Sequence, residues 1–263
     1  MAIDDRYERG LARFKELHPD GIEHLMKTMN QTNPDLGRYI MEFQFGNIFS
    51  RPGLTLKERE MAMIAGLTCL GHATHQVKVH TKVALGIGVT RLEIVEIIMQ
   101  MALFAGIPAG INAMKAANEA FAETNTPPLP ATPPPPTGGI DDRYERGLAK
   151  LKEMNPKGID HLLAAMEDFN PDLGRFILEF QFAGIFSRPG LTLQQREMAM
   201  IAGLTCLGNA THQIKVHTQV ALNVGVTRVQ ITEILLQMAL FAGIPAAINN
   251  LKAANEAFKE AGV

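Results

Sequence analysis

Residues 51–71 read RPGLTLKEREMAMIAGLTCLG, and residues 188–208 read RPGLTLQQREMAMIAGLTCLG. The two stretches differ only where Lys57 and Glu58 become Gln194 and Gln195. The same shift of 137 residues aligns the flanking sequence without a gap. IDDRYERG from Ile3 recurs from Ile140, HATHQVKVH from His72 recurs as NATHQIKVH from Asn209, and FAGIP from Phe104 recurs from Phe241. Self-similarity at a fixed shift marks a duplicated unit, so the chain is read as two copies of one domain, residues 1–123 and 140–263. Between them, residues 124–139 read TNTPPLPATPPPPTGG. Proline fixes φ and removes backbone donors, so this linker is expected to be an extended, semi-rigid spacer.

Within a copy, no segment alternates cleanly between apolar and polar residues, and helical periods dominate. The periodicity predicts helices near 4–17, 20–31, 35–48, 56–70, 74–86, 91–104 and 108–122. Thr55/Glu58 and Thr90/Glu93 have capping-box spacing, kept as Thr192/Gln195 and Thr227/Gln230. Pro34 and Pro108 fall at first-turn positions, where a missing N–H costs nothing. The expected fold class is therefore all-α. The helix near 91–104 is apolar on nearly every side, apart from a stripe of Glu93, Glu96 and Gln100, which becomes Gln230, Glu233 and Gln237. A small domain cannot bury such a helix alone, which points to cover from the other copy or from another subunit.

Bulk properties narrow the function. A net charge of −2 offers no basic field for nucleic acid. The most apolar stretch, IIMQMALFAGIPAGI, is interrupted by Gln100 and Pro108 and is too short to cross a bilayer. MAIDDRYERG does not read as a secretory signal. Two cysteines give no disulfide framework, and a reducing cytoplasm is the expected location.

Several side chains have chemical potential. Glu60 and its counterpart Glu197 sit on an apolar stripe with Ile64 and Leu67 one and two turns on. Desolvation there favours the protonated acid and suits proton transfer, while an ion pair with Arg59 or another arginine is the structural alternative. His72, His75 and His80 form a cluster, with Asn209, His212 and His217 in the second copy. His75 and His80 are five residues apart, about 140° around a helix, so they need not enter one site. Gln76, one turn before His80, is placed to set its orientation. This histidine spacing does not match a two-histidine metal motif, and no metal is expected. Arg51 and Arg188 can clamp a substrate carboxylate or cap the helix end they follow. Gln44 and Gln181 lie between aromatics in EFQF, where an amide binds either a ligand or the backbone. Cys69 and Cys206 are solitary and read as small hydrophobes.

Taken together, LTLKERE followed by HQVKVHTKVALGIGVTRLEIVEIIMQMALFAGIPAGINAMKAANEAF resembles the carboxymuconolactone decarboxylase family. The likeness runs from about Arg51 to Phe121 and from Arg188 to Phe258. It implies two tandem alkylhydroperoxidase D-like helical domains and an oligomer, here a trimer of two-domain chains. It implies catalytic roles for Glu60, His80, Glu197 and His217; His75 and His212, which are not a hallmark of the family, are further catalytic candidates from the residues alone. Arg51, Gln44, Gln76, Arg188, Gln181 and Gln213 are the expected substrate contacts. Gln76 and Gln213 stand where many decarboxylases of the family have glutamate, and Phe104 and Phe241 where tyrosine is common. The peroxidase branch uses a C-x-x-C pair, whose positions fall here at His72 and His75. The expectation is thus a cofactor-free decarboxylase acting on a small carboxylated lactone or keto acid in aromatic catabolism. A thiol peroxidase and a non-catalytic binding protein are the alternatives.

Overall fold

The computed structural model describes residues 5–19, 21–130, 141–156, 159–160, 163–164 and 170–263. All regular structure among these residues is helical, and the two copies repeat it. Copy 1 comprises α1 (Arg6–Leu17), α2 (Ile22–Thr32), α3 (Pro34–Tyr39), a π-helical segment (Ile40–Ile48), α4 (Leu56–Leu70), α5 (Thr74–Gly86), α6 (Arg91–Ala105) and α7 (Ile107–Glu123). Copy 2 shows α8 (Arg143–Met154), α9 (Pro171–Phe176), a second π segment (Ile177–Phe186), α10 (Leu193–Leu207), α11 (Thr211–Asn223), α12 (Arg228–Ala242) and α13 (Ile244–Ala261). Most of the proline-rich linker, residues 131–139, lies outside the described residues. Its start is anchored where Arg91 Nη1 donates to the Thr126 and Pro127 carbonyls at 3.0 and 3.1 Å.

The start signals act as expected. All four capping boxes form, with Thr55, Thr90, Thr192 and Thr227 each accepting from the N3 backbone amide. Such caps each contribute about 1 kcal/mol. One element departs from the sequence reading. The helix expected over 35–48 widens into π geometry from Ile40, so the Phe49 amide reaches the Gln44 carbonyl, five residues back, at 2.8 Å. The wider turn frees carbonyls, which side chains then satisfy. Ser50 Oγ donates to the Phe45 carbonyl at 2.7 Å, and Arg9 Nε donates to the Gly46 carbonyl at 2.8 Å. The arginine reaches it because α1 lies directly on this segment, where a Cβ at Gly10 would overlap the Met41 carbonyl.

The copies join through α4 and α10, which pack against each other along their length and are buried nearly throughout. Close approach depends on glycine: a Cβ on Gly66 would stand 2.7 Å from Met238 Sδ and 2.9 Å from Cys206 Sγ. The apolar helix α6 packs on α10 and α12 packs on α4, so each copy covers the other's core-forming helix. Ile94, Ile97, Ile98 and Met101 are fully buried as a result. The polar stripe of each of these helices meets arginines of the opposite copy. Glu233 accepts from Arg51 Nη2 at 2.7 Å and Arg59 Nη2 at 3.1 Å. Glu96 accepts from Arg188 Nη2 at 2.8 Å and Arg196 Nη2 at 3.0 Å. Gln237 and Gln100 complete the pattern, donating to the Arg59 and Arg196 carbonyls at 2.9 and 2.8 Å.

The interface also explains an asymmetry in the caps. Gln230 Nε2 donates across it to Glu58 Oε1 at 3.0 Å, and Gln195 Nε2 to Glu93 Oε1 at 3.4 Å. Copy 1 supplies both glutamates and copy 2 both glutamines. Each cross-copy pair is therefore one carboxylate with one amide, and no two carboxylates face each other.

Candidate active site

Glu60 on α4 points at His80 on α5, with Glu60 Oε2 2.8 Å from His80 Nδ1. In copy 2, Glu197 Oε2 lies 2.8 Å from His217 Nδ1. Both carboxylates are buried, and both imidazoles are nearly so. A carboxylate only accepts, so this contact places a proton on Nδ1 and leaves Nε2 as the ring nitrogen free to act. Each glutamate keeps a second buried oxygen, Oε1, with no hydrogen-bond partner among the described residues. An unpartnered buried carboxylate oxygen costs stability, and groups held at such cost concentrate where chemistry needs them.

Each pair borders a cavity. The copy 1 cavity, about 470 Å³, is bordered by α1, α2, the π segment and α5, with Phe14, Leu25, Met29, Phe45 and Val79 as apolar walls. Its polar lining is Gln44, His75, Gln76, His80, Thr28 and His18. The copy 2 cavity, about 310 Å³, has Gln181, Glu197, His212, Gln213 and His217 among its lining. Both volumes suit a small organic molecule.

Most of the expected site residues converge here. His75, Gln76, His80 and Gln44 line one cavity, with Glu60 held against His80, and Glu197, His212, Gln213, His217 and Gln181 line the other. The 140° separation of His75 and His80 does not keep them apart, because the cavity wraps the first two turns of α5. His75 also borders an outer groove with Lys78 and Lys115, so it stands between cavity and solvent. Gln76 does not orient His80: the partner on Nδ1 is Glu60. Nor does Glu60 pair with Arg59, which turns to Glu233.

Arg51 and Arg188 require a correction. Neither lines its copy's histidine cavity; they bind Glu233 and Glu96 across the interface. Their charge is spent on the carboxylate stripe of the other copy, a contact 182 residues away in sequence for Arg51. Cys69 and Cys206 also lie outside the cavities, with Cys69 Sγ 3.5 Å from Met101 Sδ and Cys206 Sγ 3.6 Å from Met238 Sδ. Burial pushes the Cys206 thiol up to about 12 and the Cys69 thiol higher, which suppresses the reactive thiolate. His72 is exposed, with Nδ1 2.7 Å from the Leu70 carbonyl, and takes no part in the cavity. Among the described residues no group of three or more His, Cys, Asp or Glu is arranged to hold a metal ion.

His18 escaped the sequence reading, and Phe104, noted there only as a position where tyrosine is common in the family, has an unexpected place. His18, just past the end of α1, lines the copy 1 cavity. Phe104, at the end of α6 in copy 1, lines the copy 2 cavity and sets its ring edge-on to His217, with centroids 6.4 Å apart. The second cavity is thus built from both copies. His18 lies in HPDG, just past the expected end of the first helix, and the repeat comparison carried a signal: His18 becomes Asn155 and Phe14 becomes Leu151.

Comparison with known proteins agrees with this construction. The model of the carboxymuconolactone decarboxylase family matches residues 34–119 and again 171–256. The chain is 33% identical over 124 residues to 4-carboxymuconolactone decarboxylase of Acinetobacter baylyi, covering 47% of this chain and 92% of that protein. It is 37% identical over 109 residues to nitrosuccinic acid decarboxylase of Metarhizium robertsii, covering 41% and 76%. An uncharacterized 15.0 kDa protein of Paracoccus denitrificans is 36% identical over 104 residues, covering 39% and 78%. Two family matches on two all-helical copies, each with its own glutamate–histidine pair, lead to one conclusion: the chain belongs to the carboxymuconolactone decarboxylase family and carries the family's domain twice in tandem.

Proposed function

We propose that each copy is a cofactor-free carboxy-lyase acting on a small carboxylated lactone or keto acid, carboxymuconolactone-like, in the breakdown of aromatic compounds. The observation that carries this reading is the buried carboxylate–imidazole pair beside a cavity of small-molecule size, present twice at the same 2.8 Å. Two of the relatives are named decarboxylases, one of a carboxylated lactone and one of a nitro-substituted acid. In both kinds of substrate, loss of carbon dioxide leaves an electron pair that a neighbouring acceptor group can delocalise.

The chemistry follows from the geometry. The C–C bond to the carboxylate breaks, its electrons pass into the adjacent acceptor group, and carbon dioxide leaves. A proton must then reach carbon. His80 Nε2 delivers it, while Glu60 on Nδ1 stabilises the imidazolium needed before transfer. Gln44, Gln76 and His75 supply the donors that meet the developing charge, a role that gains strength in a dry cavity. With Arg51 engaged at the interface, these pocket residues also hold the substrate carboxylate. A trimer of chains is part of the same reading. Large apolar side chains exposed on α3 and the π segment (Leu36, Tyr39 and Phe43) supply surface for such contacts.

The test is carbon dioxide release from 4-carboxymuconolactone by the wild type and by His80→Ala/His217→Ala. The variant is expected to lose about 10²- to 10⁴-fold in kcat, the usual contribution of a positioned acid or base. Wild-type turnover in the variant overturns the assignment. Light scattering checks the trimer against three times the 28.8 kDa chain mass.

A further inference from the structure

The two cavities are not copies of each other. Of the residues lining the copy 1 cavity, only Phe14, His18 and Thr28 change in the repeat, to Leu151, Asn155 and Ala165. Two of the three form one structural unit. The His18 ring stacks on Phe14 with centroids 4.7 Å apart and planes at 17°, and it meets the Phe45 ring edge-on at 6.5 Å. Copy 2 loses the imidazole together with the aromatic face that supports it.

The His18 backbone is fixed, with the amide donating to the Phe14 carbonyl at 2.7 Å. Neither ring nitrogen has a hydrogen-bond partner among the described residues, yet the ring faces the cavity it shares with His75 and His80 of α5. Burial pushes its pKa below the ordinary histidine range, the nearby His80 adds to this, and Glu60 of α4 opposes it. A neutral imidazole in this setting takes up a proton when an anion enters beside it. Asn155 can donate a hydrogen bond but never acquires charge.

We infer that His18 is a specificity-determining residue that fits the copy 1 cavity to a dicarboxylic acid. One carboxylate sits over the Glu60–His80 pair and the second against the His18 imidazole. Copy 2, with Asn155, takes the same diacid but discriminates less between it and a monocarboxylic acid of the same length. This rests on the reading of the cavities as organic-acid sites, but it concerns binding and does not require turnover.

The experiment titrates the full chain, carrying isotope-labelled histidine, with glutarate and with butyrate as unreactive probes. The His18 resonances are identified from the spectrum of His18→Asn. Glutarate is expected to raise the His18 titration midpoint, with butyrate moving it less. His18→Asn is expected to weaken glutarate binding about tenfold, the factor one charge-assisted hydrogen bond supplies, and to leave butyrate within about twofold. Asn155→His is expected to strengthen glutarate binding at the second cavity. A His18 resonance unmoved by glutarate, or equal glutarate affinity in wild type and His18→Asn, overturns the inference. Glutarate selectivity in a chain that releases no carbon dioxide upholds it while rejecting the carboxy-lyase reading. Carbon dioxide release without glutarate selectivity does the reverse.

Discussion

The interface between the copies and the rims of their cavities have opposite histories in the sequence. Residues 51–71 and 188–208, which build α4 and α10, differ at two positions, and one of these, Glu58 against Gln195, supplies a partner to each carboxylate–amide pair across the interface. The cavity rims differ where a ligand would be read, at Phe14/Leu151 and His18/Asn155. The glutamate–histidine pair lies between these regions and is the same in both copies. A shared scaffold and shared reactive groups, with different rims, are what two sites of one chemistry and unequal selectivity require.

The comparison breaks most severely at the interface. Glu233→Ala leaves the fully buried Arg59 without its counter-charge, and removing one partner of a buried pair costs about 3–5 kcal/mol. Urea denaturation of the variant should show that loss, and a midpoint equal to wild type would mean the stripe contributes nothing to joining the copies. Phe104→Ala sharpens the comparison differently. It should lower kcat/KM about tenfold in a chain silenced at copy 1 by Glu60→Gln, the order expected for one lost apolar contact with substrate. In a chain silenced at copy 2 by Glu197→Gln, it should change little, because Phe104 lines only the second cavity among the described residues.

A smaller effect is expected from Gln195→Glu/Gln230→Glu, which sets carboxylates against Glu93 and Glu58. The cost should be about 1 kcal/mol at pH 7 and should shrink near pH 4 as carboxylates protonate. Equal destabilisation at both pH values would exclude charge as the cause. The smallest effect concerns His18. Its folded pKa is lowered by burial and His80, with Glu60 opposing, so the unfolded chain binds more protons as pH falls below about 6.5. Stability present at neutral pH is therefore partly lost on acidification. The drop in denaturation midpoint between pH 7.5 and 5.5 should be smaller in His18→Asn, and an unchanged drop would show that His18 carries no such linkage.

Much of this was legible in the sequence because it is local. The helices form within a few residues of their expected limits, with the capping threonines where the spacing put them. Glu60 and His80 were recognisable as chemistry because charged and titratable groups on apolar helices need partners. The π turns left no mark, since Ile40–Ile48 is apolar enough on every side to suit several helical pitches. The destination of Arg51 was hidden because its partner is in the other copy, and a one-copy reading left only a ligand or the helix-end carbonyls to receive its charge. Phe104 was hidden for the same reason: its cavity belongs to the other repeat. What the sequence withheld was long-range pairing between copies.

The central claim is that each copy holds its own working carboxylate–imidazole pair. It is tested most directly by carbon dioxide release from 4-carboxymuconolactone by Glu60→Gln, by Glu197→Gln and by the two combined. The account predicts that each single variant keeps the other cavity's share of turnover and that the combined variant falls at least about 100-fold. Turnover in the combined variant equal to wild type would contradict it.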